Sequence, residues 1–124
     1  MRLLLDTHVV LWWQTDDRRL NREAREAIAT ADIVWVSAVS GWEAAIKASL
    51  GRLRLDEPFP LLVRANEFTE LPVTLDHAAR YGELPAHHPD PFDRLLAAQA
   101  FAEHATLVTH DRAFAPYGLD VIWT

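Results

Sequence analysis

Four short, continuously apolar stretches punctuate the chain: Arg2–Leu5, Ile33–Ser37, Thr106–Thr109 and Asp120–Trp123. They lack polar alternation and are rich in Leu, Val, Ile and Trp, the pattern of strands buried on both faces. Glu70–Thr74 is a weaker fifth candidate, and Pro72 assigns it to an edge because proline removes a ladder donor. Helical spacing fills the intervals. Leu20–Ala31 alternates Arg and Glu with alanine. Val39–Leu50 sets Val39, Trp42, Ala45, Ile46 and Leu50 at helical intervals, and Gly51 stops it. Pro91–Glu103 does the same with Phe92, Leu95, Leu96, Gln99, Ala100 and Glu103. Strands alternating with helices predict an α/β fold in three layers, with a central parallel sheet of four to five strands flanked by helices, formed by residues 1–124 as one domain. Gly82–Pro91, with three prolines and the pair His87-His88, is the most loop-like segment.

Composition narrows the chemistry. The 124 residues are half hydrophobic, enough for a core without staples, and contain no cysteine, which excludes disulfides, zinc–thiolate sites, iron–sulfur clusters and thiol nucleophiles. No apolar run approaches the roughly 20 residues of a membrane span, and Met1-Arg2-Leu3-Leu4-Leu5-Asp6 meets a carboxylate too soon for a signal peptide. The expectation is a cytoplasmic protein without membrane association. Eighteen acidic against twelve basic residues give a net charge of −6. That charge argues against a general electrostatic grip on nucleic acid, since such domains are usually basic. A polyanionic substrate would need a local countercharge, for which a bound divalent cation is the obvious source.

In open α/β sheets, the cleft lies outside the carboxyl ends of the strands. Asp6 directly follows the first strand, and Asp111 follows the Thr106–Thr109 strand after His110. Asp93 falls in the first turn of the Pro91 helix, and Glu43 lies one turn into the helix after Ile33–Ser37. Each has a purely structural alternative. Asp6 and Asp111 have the placement of caps for helices starting at Thr7 and Arg112, Ser40-Gly41-Trp42-Glu43 has capping-box spacing, Asp90-Pro91-Phe92-Asp93 is a well-formed helix start, and Glu43 with Lys47 is an i,i+4 pair. Capping does not explain why all four acids should map to one sheet edge. Four clustered carboxylates repel, so one or more stays protonated unless a cation sits among them, and oxygen ligands suit Mg²⁺ or Mn²⁺.

Four segments also carry a resemblance: Leu4-Leu5-Asp6-Thr7-His8, Ser37-Ala38-Val39-Ser40-Gly41-Trp42-Glu43, Asp90-Pro91-Phe92-Asp93-Arg94-Leu95-Leu96-Ala97-Ala98-Gln99-Ala100 and Val108-Thr109-His110-Asp111-Arg112-Ala113-Phe114. In this order and separation they resemble the successive motifs of PIN-domain proteins, and in particular the VapC-type toxins of bacterial toxin–antitoxin operons. The resemblance runs from residue 3 to the last strand. It implies an acidic quartet of Asp6, Glu43, Asp93 and Asp111, with the Thr109 hydroxyl, and Thr7, lining the site. It implies endonucleolytic hydrolysis of single-stranded RNA with Mg²⁺, replaceable by Mn²⁺, as cofactor. Asp6 and Asp93 would be the principal metal ligands, while Asp111 and Glu43 would act through water or position the nucleophile. Water as nucleophile implies products with 5′-phosphate and 3′-hydroxyl ends. A VapB-like antitoxin and a homodimer, assembling into a heterotetramer or larger, are the implied partners. Two Mg²⁺ would bring the net charge from −6 to −2.

Among the bases, Lys47, one turn beyond Glu43, and Arg94, beside Asp93, are candidates to hold RNA phosphates. Arg112 adjoins Asp111 and Arg52 and Arg54 follow Gly51, but ordinary surface charge explains these three. Arg18, Arg19, Arg22 and Arg25 read as a solvated helix face. The six histidines show no ligand spacing; His87-His88 reads as an exposed loop pair and His110 as turned away from the quartet. Trp35 and Trp42 are expected in the core, and Trp12 or Trp13 at a protein interface. A phosphoacceptor domain is disfavoured because the first strand is followed by a single acid and no lysine follows a late strand. A haloacid-dehalogenase-like phosphatase fails because residue 8 is His rather than Asp. A non-catalytic PIN-like module, or an RNA-processing nuclease without a toxin role, remains as the alternative.

Overall fold

A computed structural model describes residues 1–124. Five strands form one sheet: β1 (Arg2–Leu5), β2 (Ile33–Ser37), β3 (Thr69–Leu71), β4 (Thr106–Thr109) and β5 (Val121–Trp123). All pair in parallel in the order β3-β2-β1-β4-β5, with Leu4 opposite Trp35 on one side and Leu107 on the other. β3, the weaker candidate, is an edge strand as expected, but it runs over Thr69–Leu71 rather than Glu70–Thr74, because Pro72 ends it. Six α-helices connect the strands: α1 (Thr7–Thr15), α2 (Arg22–Thr30), α3 (Ala38–Ser49), α4 (Phe59–Ala65), α5 (Leu75–Glu83) and α6 (Pro91–Glu103). Arg112–Tyr117, expected as a helix, is a 3₁₀ helix containing Pro116, ahead of β5.

The alternation of side chains along each strand divides the core in two. Leu3, Leu5, Val34, Val36 and Val108 face α1, α2 and α4, where Val9, Val10, Ile28 and Val63 complete the layer. Leu4, Trp35 and Leu107 face α6 and the 3₁₀ helix, against Leu96, Ala97, Ala100 and Phe114. Leu3, Leu4 and Leu5 are wholly excluded from solvent, each contributing roughly 1.5–3 kcal/mol of burial. The sheet is therefore covered on both faces, which is why its strands read as continuous apolar runs.

Two helices escape the sequence pattern. Pro58 and Pro60 look like breakers before α4, yet they occupy its cap and first turn, where no backbone donor is needed. α5 buries only His77, and Leu75 at its start is almost fully exposed, so no apolar stripe marks it. Its start is instead a capping box: Thr74 Oγ1 accepts from the His77 N–H, and the Thr74 N–H donates to His77 Nδ1. α3 ends as expected, with Gly51 at φ +71°.

The tryptophans require a correction. Trp35 is buried, but Trp42 is 59% exposed, and Trp12 is buried. α3 begins at Ala38 under a Ser37 cap, so Val39, Ser40, Glu43 and Ala44 form its inward arc and Trp42 falls outside it. Trp42 lies edge-on to Phe92, with ring centroids 4.9 Å apart, and Trp13 is tied to Asn66 by its indole N–H. The same start overturns Ser40-x-x-Glu43 as a capping box.

Candidate active site

The strand order reverses between β1 and β4, since the chain grows from β1 toward β3 in one direction and from β4 to β5 in the other. Such a reversal splays the connections apart and leaves a crevice beyond the carboxyl ends of the two strands. Asp6 leaves β1 there and Asp111 follows β4. α3 and α6 bring Glu43 and Asp93 to the same place, and all four acids line one open cleft of about 520 Å³.

The local structure that makes the acids good caps also fixes them in the cleft. Asp6 Oδ1 accepts the Thr7 N–H at 2.6 Å as the cap of α1, and its Oδ2 accepts the Thr109 hydroxyl at 2.7 Å. Thr109 Oγ1 in turn accepts the Asp111 N–H at 3.0 Å, so one buried hydroxyl links the two acids across the switch point. Asp111 Oδ1 accepts the Ala113 N–H at 2.9 Å, capping the 3₁₀ helix. Asp90 caps α6 through the Phe92 N–H, as its spacing predicts, and also lines the cleft. Carboxylate oxygens of Glu43, Asp90 and Asp93 come within 4.8 Å of one another, and Asp93 and Asp111 make a second such group with His88.

This density of negative charge is only partly compensated. Lys47 Nζ stands 3.7 Å from Glu43, but no lysine or arginine pairs with Asp93, whose nearest partner is His88 Nε2 at 3.3 Å. Burial, then the charges of Asp6, Asp90, Glu43 and Asp111, push the Asp93 carboxyl up from 3.8 to about 8. Burial also raises Asp6, despite the opposing hydrogen bonds from Thr109 and Thr7. Asp111 is the exception: burial acts upward on it, but hydrogen bonds from His88 and the Ala113 amide outweigh this and hold it below the ordinary value. A set of hard oxygen donors with one carboxyl forced to keep its proton fits a divalent cation of the Mg²⁺ or Mn²⁺ type.

Several expected residues land elsewhere. Thr109 and Thr7 do not line the cleft; both are buried beneath it and hold Asp6. Arg94 is turned away, its guanidinium lying 4.4 Å over the Tyr81 ring and donating to the Leu84 carbonyl at 2.8 Å, because position 94 on α6 faces α5 rather than the quartet. Lys47 does line the cleft, and so do Arg19 and Arg112, stacked over Trp12 and Trp123 at 4.8 and 4.5 Å. Arg19 precedes α2 and is no part of a helix face. His110 also lines the cleft, although its Nδ1 bonds the Thr124 carbonyl and its ring lies against Trp12. The expectation of an exposed histidine pair holds for His87 and fails for His88, which is buried with Nε2 2.7 Å from Asp111 Oδ2. Its one signal in the sequence is its place two residues before the Asp90 cap.

The PIN domain family model matches residues 3–118, a span that includes all four acids of the cleft. The chain belongs to the PIN domain family. It is 37% identical over 115 residues to Ribonuclease VapC22 of Mycobacterium tuberculosis (strain ATCC 25618 / H37Rv), an alignment spanning 89% of this chain and 87% of the relative. The fold is shared with a chain of VapBC2 from Rickettsia felis bound to a promoter DNA fragment, at TM-score 0.74 and 19% identity over 98% of both chains. It is shared also with a chain of DNA-bound VapBC from Salmonella typhimurium, at TM-score 0.68 and 16% identity over 98% and 97%. FitAcB from Neisseria gonorrhoeae matches at 0.65 and 20% identity over 97% and 96%.

Proposed function

We propose that this protein is a metal-dependent endoribonuclease, the toxin of a toxin–antitoxin pair, that hydrolyses phosphodiester bonds in single-stranded RNA. The observation that carries the reading is the convergence of Asp6, Glu43, Asp93 and Asp111 on one open cleft at the switch point. Identity to a named VapC ribonuclease supports the reaction class. Asp6 and Asp93 would hold a divalent cation directly, Mg²⁺ with Mn²⁺ as substitute, and Glu43 and Asp111 would act through water. A cation bound there would supply charge neutralisation at the scissile phosphate and an acidified water, whose oxygen bonds to phosphorus as the P–O3′ bond breaks and the 3′-oxygen leaves as a hydroxyl. Thr109 keeps Asp6 from rotating, and Asp111 accepts a hydrogen bond from the attacking water. Lys47, Arg19 and Arg112 supply the positive charge that draws the RNA backbone past the acids. The reading places the protein in the cytoplasm with its RNA, and no helix is long and apolar enough to cross a membrane. A cognate VapB-like antitoxin and a homodimer complete it, tested by light scattering of the chain alone and with the product of the neighbouring reading frame.

The direct test is incubation of the purified protein with mixed RNA in Mg²⁺, Mn²⁺ or EDTA. Cleavage confined to the cation lanes supports the reading; RNA binding without cleavage in any lane supports the non-catalytic alternative. A second expectation concerns pH. The folded, cation-free protein keeps a proton on Asp93 up to about pH 8, whereas the unfolded chain releases it near 3.8. Between these values the native state holds more protons, so stability is greatest at the acid end and is lost as pH rises toward 8. Melting in EDTA is therefore expected to fall by roughly 10 °C between pH 5.5 and 8.5, and Mn²⁺ to raise it most at pH 8.5. A melting temperature that rises over this range in EDTA would contradict the buried-acid account.

A further inference from the structure

His88 is buried in the loop between α5 and α6, a segment otherwise largely exposed, and both ring nitrogens are engaged. Nδ1 accepts the Asp90 backbone N–H at 3.1 Å. An imidazole that accepts at Nδ1 carries its proton on Nε2 when neutral, and Nε2 faces Asp111 Oδ2 at 2.7 Å and Asp93 Oδ2 at 3.3 Å. The ring is held from its other sides as well. The His88 N–H donates to the Tyr117 hydroxyl at 3.0 Å, and the ring lies 5.2 Å from that of Phe114. With Ala113 N–H on Oδ1 and His88 on Oδ2, the Asp111 carboxylate is anchored at both oxygens.

We propose that His88 is a positioning residue for the hydrolysis: as an Nε2–H donor it fixes the Asp111 carboxylate and separates it from Asp93. The inference rests on the reading of the cleft as a cation-dependent nuclease site. The tautomer excludes a ligand role, because the only nitrogen that faces the acids has no lone pair to give. The geometry is that of an outer-shell donor, which orients a carboxylate beside the cation site and whose loss typically costs about 10–100-fold in metal affinity or activity. Without the donor, Asp111 retains only its cap bond and is free to turn toward Asp93, and the space between the two acids loses its shape. His88 thus ties the site to α6 through Asp90, to the 3₁₀ helix through Tyr117 and to β4 through Asp111.

Two substitutions separate the halves of the ring. In His88→Asn the amide oxygen replaces Nδ1 and preserves the loop contact to Asp90, while the donor to Asp111 is gone. In His88→Gln the longer amide carries an N–H to the place of Nε2. Mn²⁺ binding, read from the free-ion electron paramagnetic resonance signal at fixed pH, is expected to weaken about tenfold in His88→Asn and to recover to within about threefold of the parent in His88→Gln. Turnover on RNA should fall in parallel with KM held constant, and thermal melts of both variants report that the fold survives. Equal weakening in both variants makes His88 merely structural, and binding like the parent in both denies it a role; either result overturns the proposal. Asp93→Asn in the same series tests the underlying reading. If it binds Mn²⁺ like the parent, the cation site itself is misassigned, whereas loss in Asp93→Asn with normal binding in His88→Asn overturns only the role of His88.

Discussion

Asp93→Asn is expected to lower RNA cleavage about a thousandfold or more, some 4 kcal/mol of transition-state stabilisation, while making the cation-free protein more stable. The two effects have one cause. Burial and the charges of Asp6, Asp90, Glu43 and Asp111 keep Asp93 protonated to about pH 8, and no lysine or arginine pairs with it. An amide of the same shape removes the charge that repels the other acids, and it replaces a charged carboxylate oxygen with an N–H donor that a cation cannot use. At pH 8.5 in EDTA the variant is expected to melt about 3–6 °C above the parent, and addition of Mn²⁺, which raises the parent, should leave it unmoved. A structural role as an ordinary first-turn acid of α6 makes the opposite forecast, since loss of a favourable dipole contact costs about 0.3–1 kcal/mol and leaves activity intact. Scanning calorimetry and a gel assay on the same preparation separate the two.

The largest expected effect on stability lies beneath the site rather than in it. Phe114 is fully buried in the layer formed by Leu4, Leu96, Leu107 and Tyr117, and its ring supports that of His88. Phe114→Ala leaves a cavity that the tightly packed Ala97 and Ala100 of α6 have no side-chain length to fill. Its cost is about 3–5 kcal/mol, or a fall of roughly 10–20 °C in melting temperature. Phe114→Leu, which keeps most of the volume, is expected to cost less than about 1.5 kcal/mol. Equal and small losses in both variants would mean that the layer between α6 and the 3₁₀ helix is looser than the burial of Phe114 requires.

The sequence was most legible where one physical demand acted alone. β1, β2 and β4 are buried on both faces, so Leu3-Leu4-Leu5, Val34-Trp35-Val36 and Leu107-Val108 announce themselves, and their carboxyl ends then place Asp6 and Asp111. The α6 bounds are legible because Asp90 caps and Pro91 starts it. Where two demands met, the pattern misled. α5 is held by the Thr74–His77 box and by contact with α6 rather than by an apolar stripe, so hydrophobic spacing does not reveal it. Trp42 carries a core-like side chain at an outward position of α3. Arg94 sits next to a cleft acid in sequence, but the helix turns it about 100° away, toward Tyr81. His88 shows the limit most clearly. A histidine in a proline-rich loop carries no periodic signal, and only the folded path of residues 84–90 brings it between Asp93 and Asp111.

The central claim is that the clustered acids activate a water rather than leave the ribose 2′-hydroxyl to attack, and the ends of the RNA products report this directly. A single-stranded RNA cut by the protein in Mg²⁺ should yield fragments with 5′-phosphates and 3′-hydroxyls, ligatable without kinase treatment, and none should form with Asp6→Asn or with EDTA. Fragments ending in 2′,3′-cyclic phosphate with 5′-hydroxyls, produced equally in EDTA and by Asp6→Asn, would contradict it, and Asp6 and its neighbours would then be helix caps that share a sheet edge.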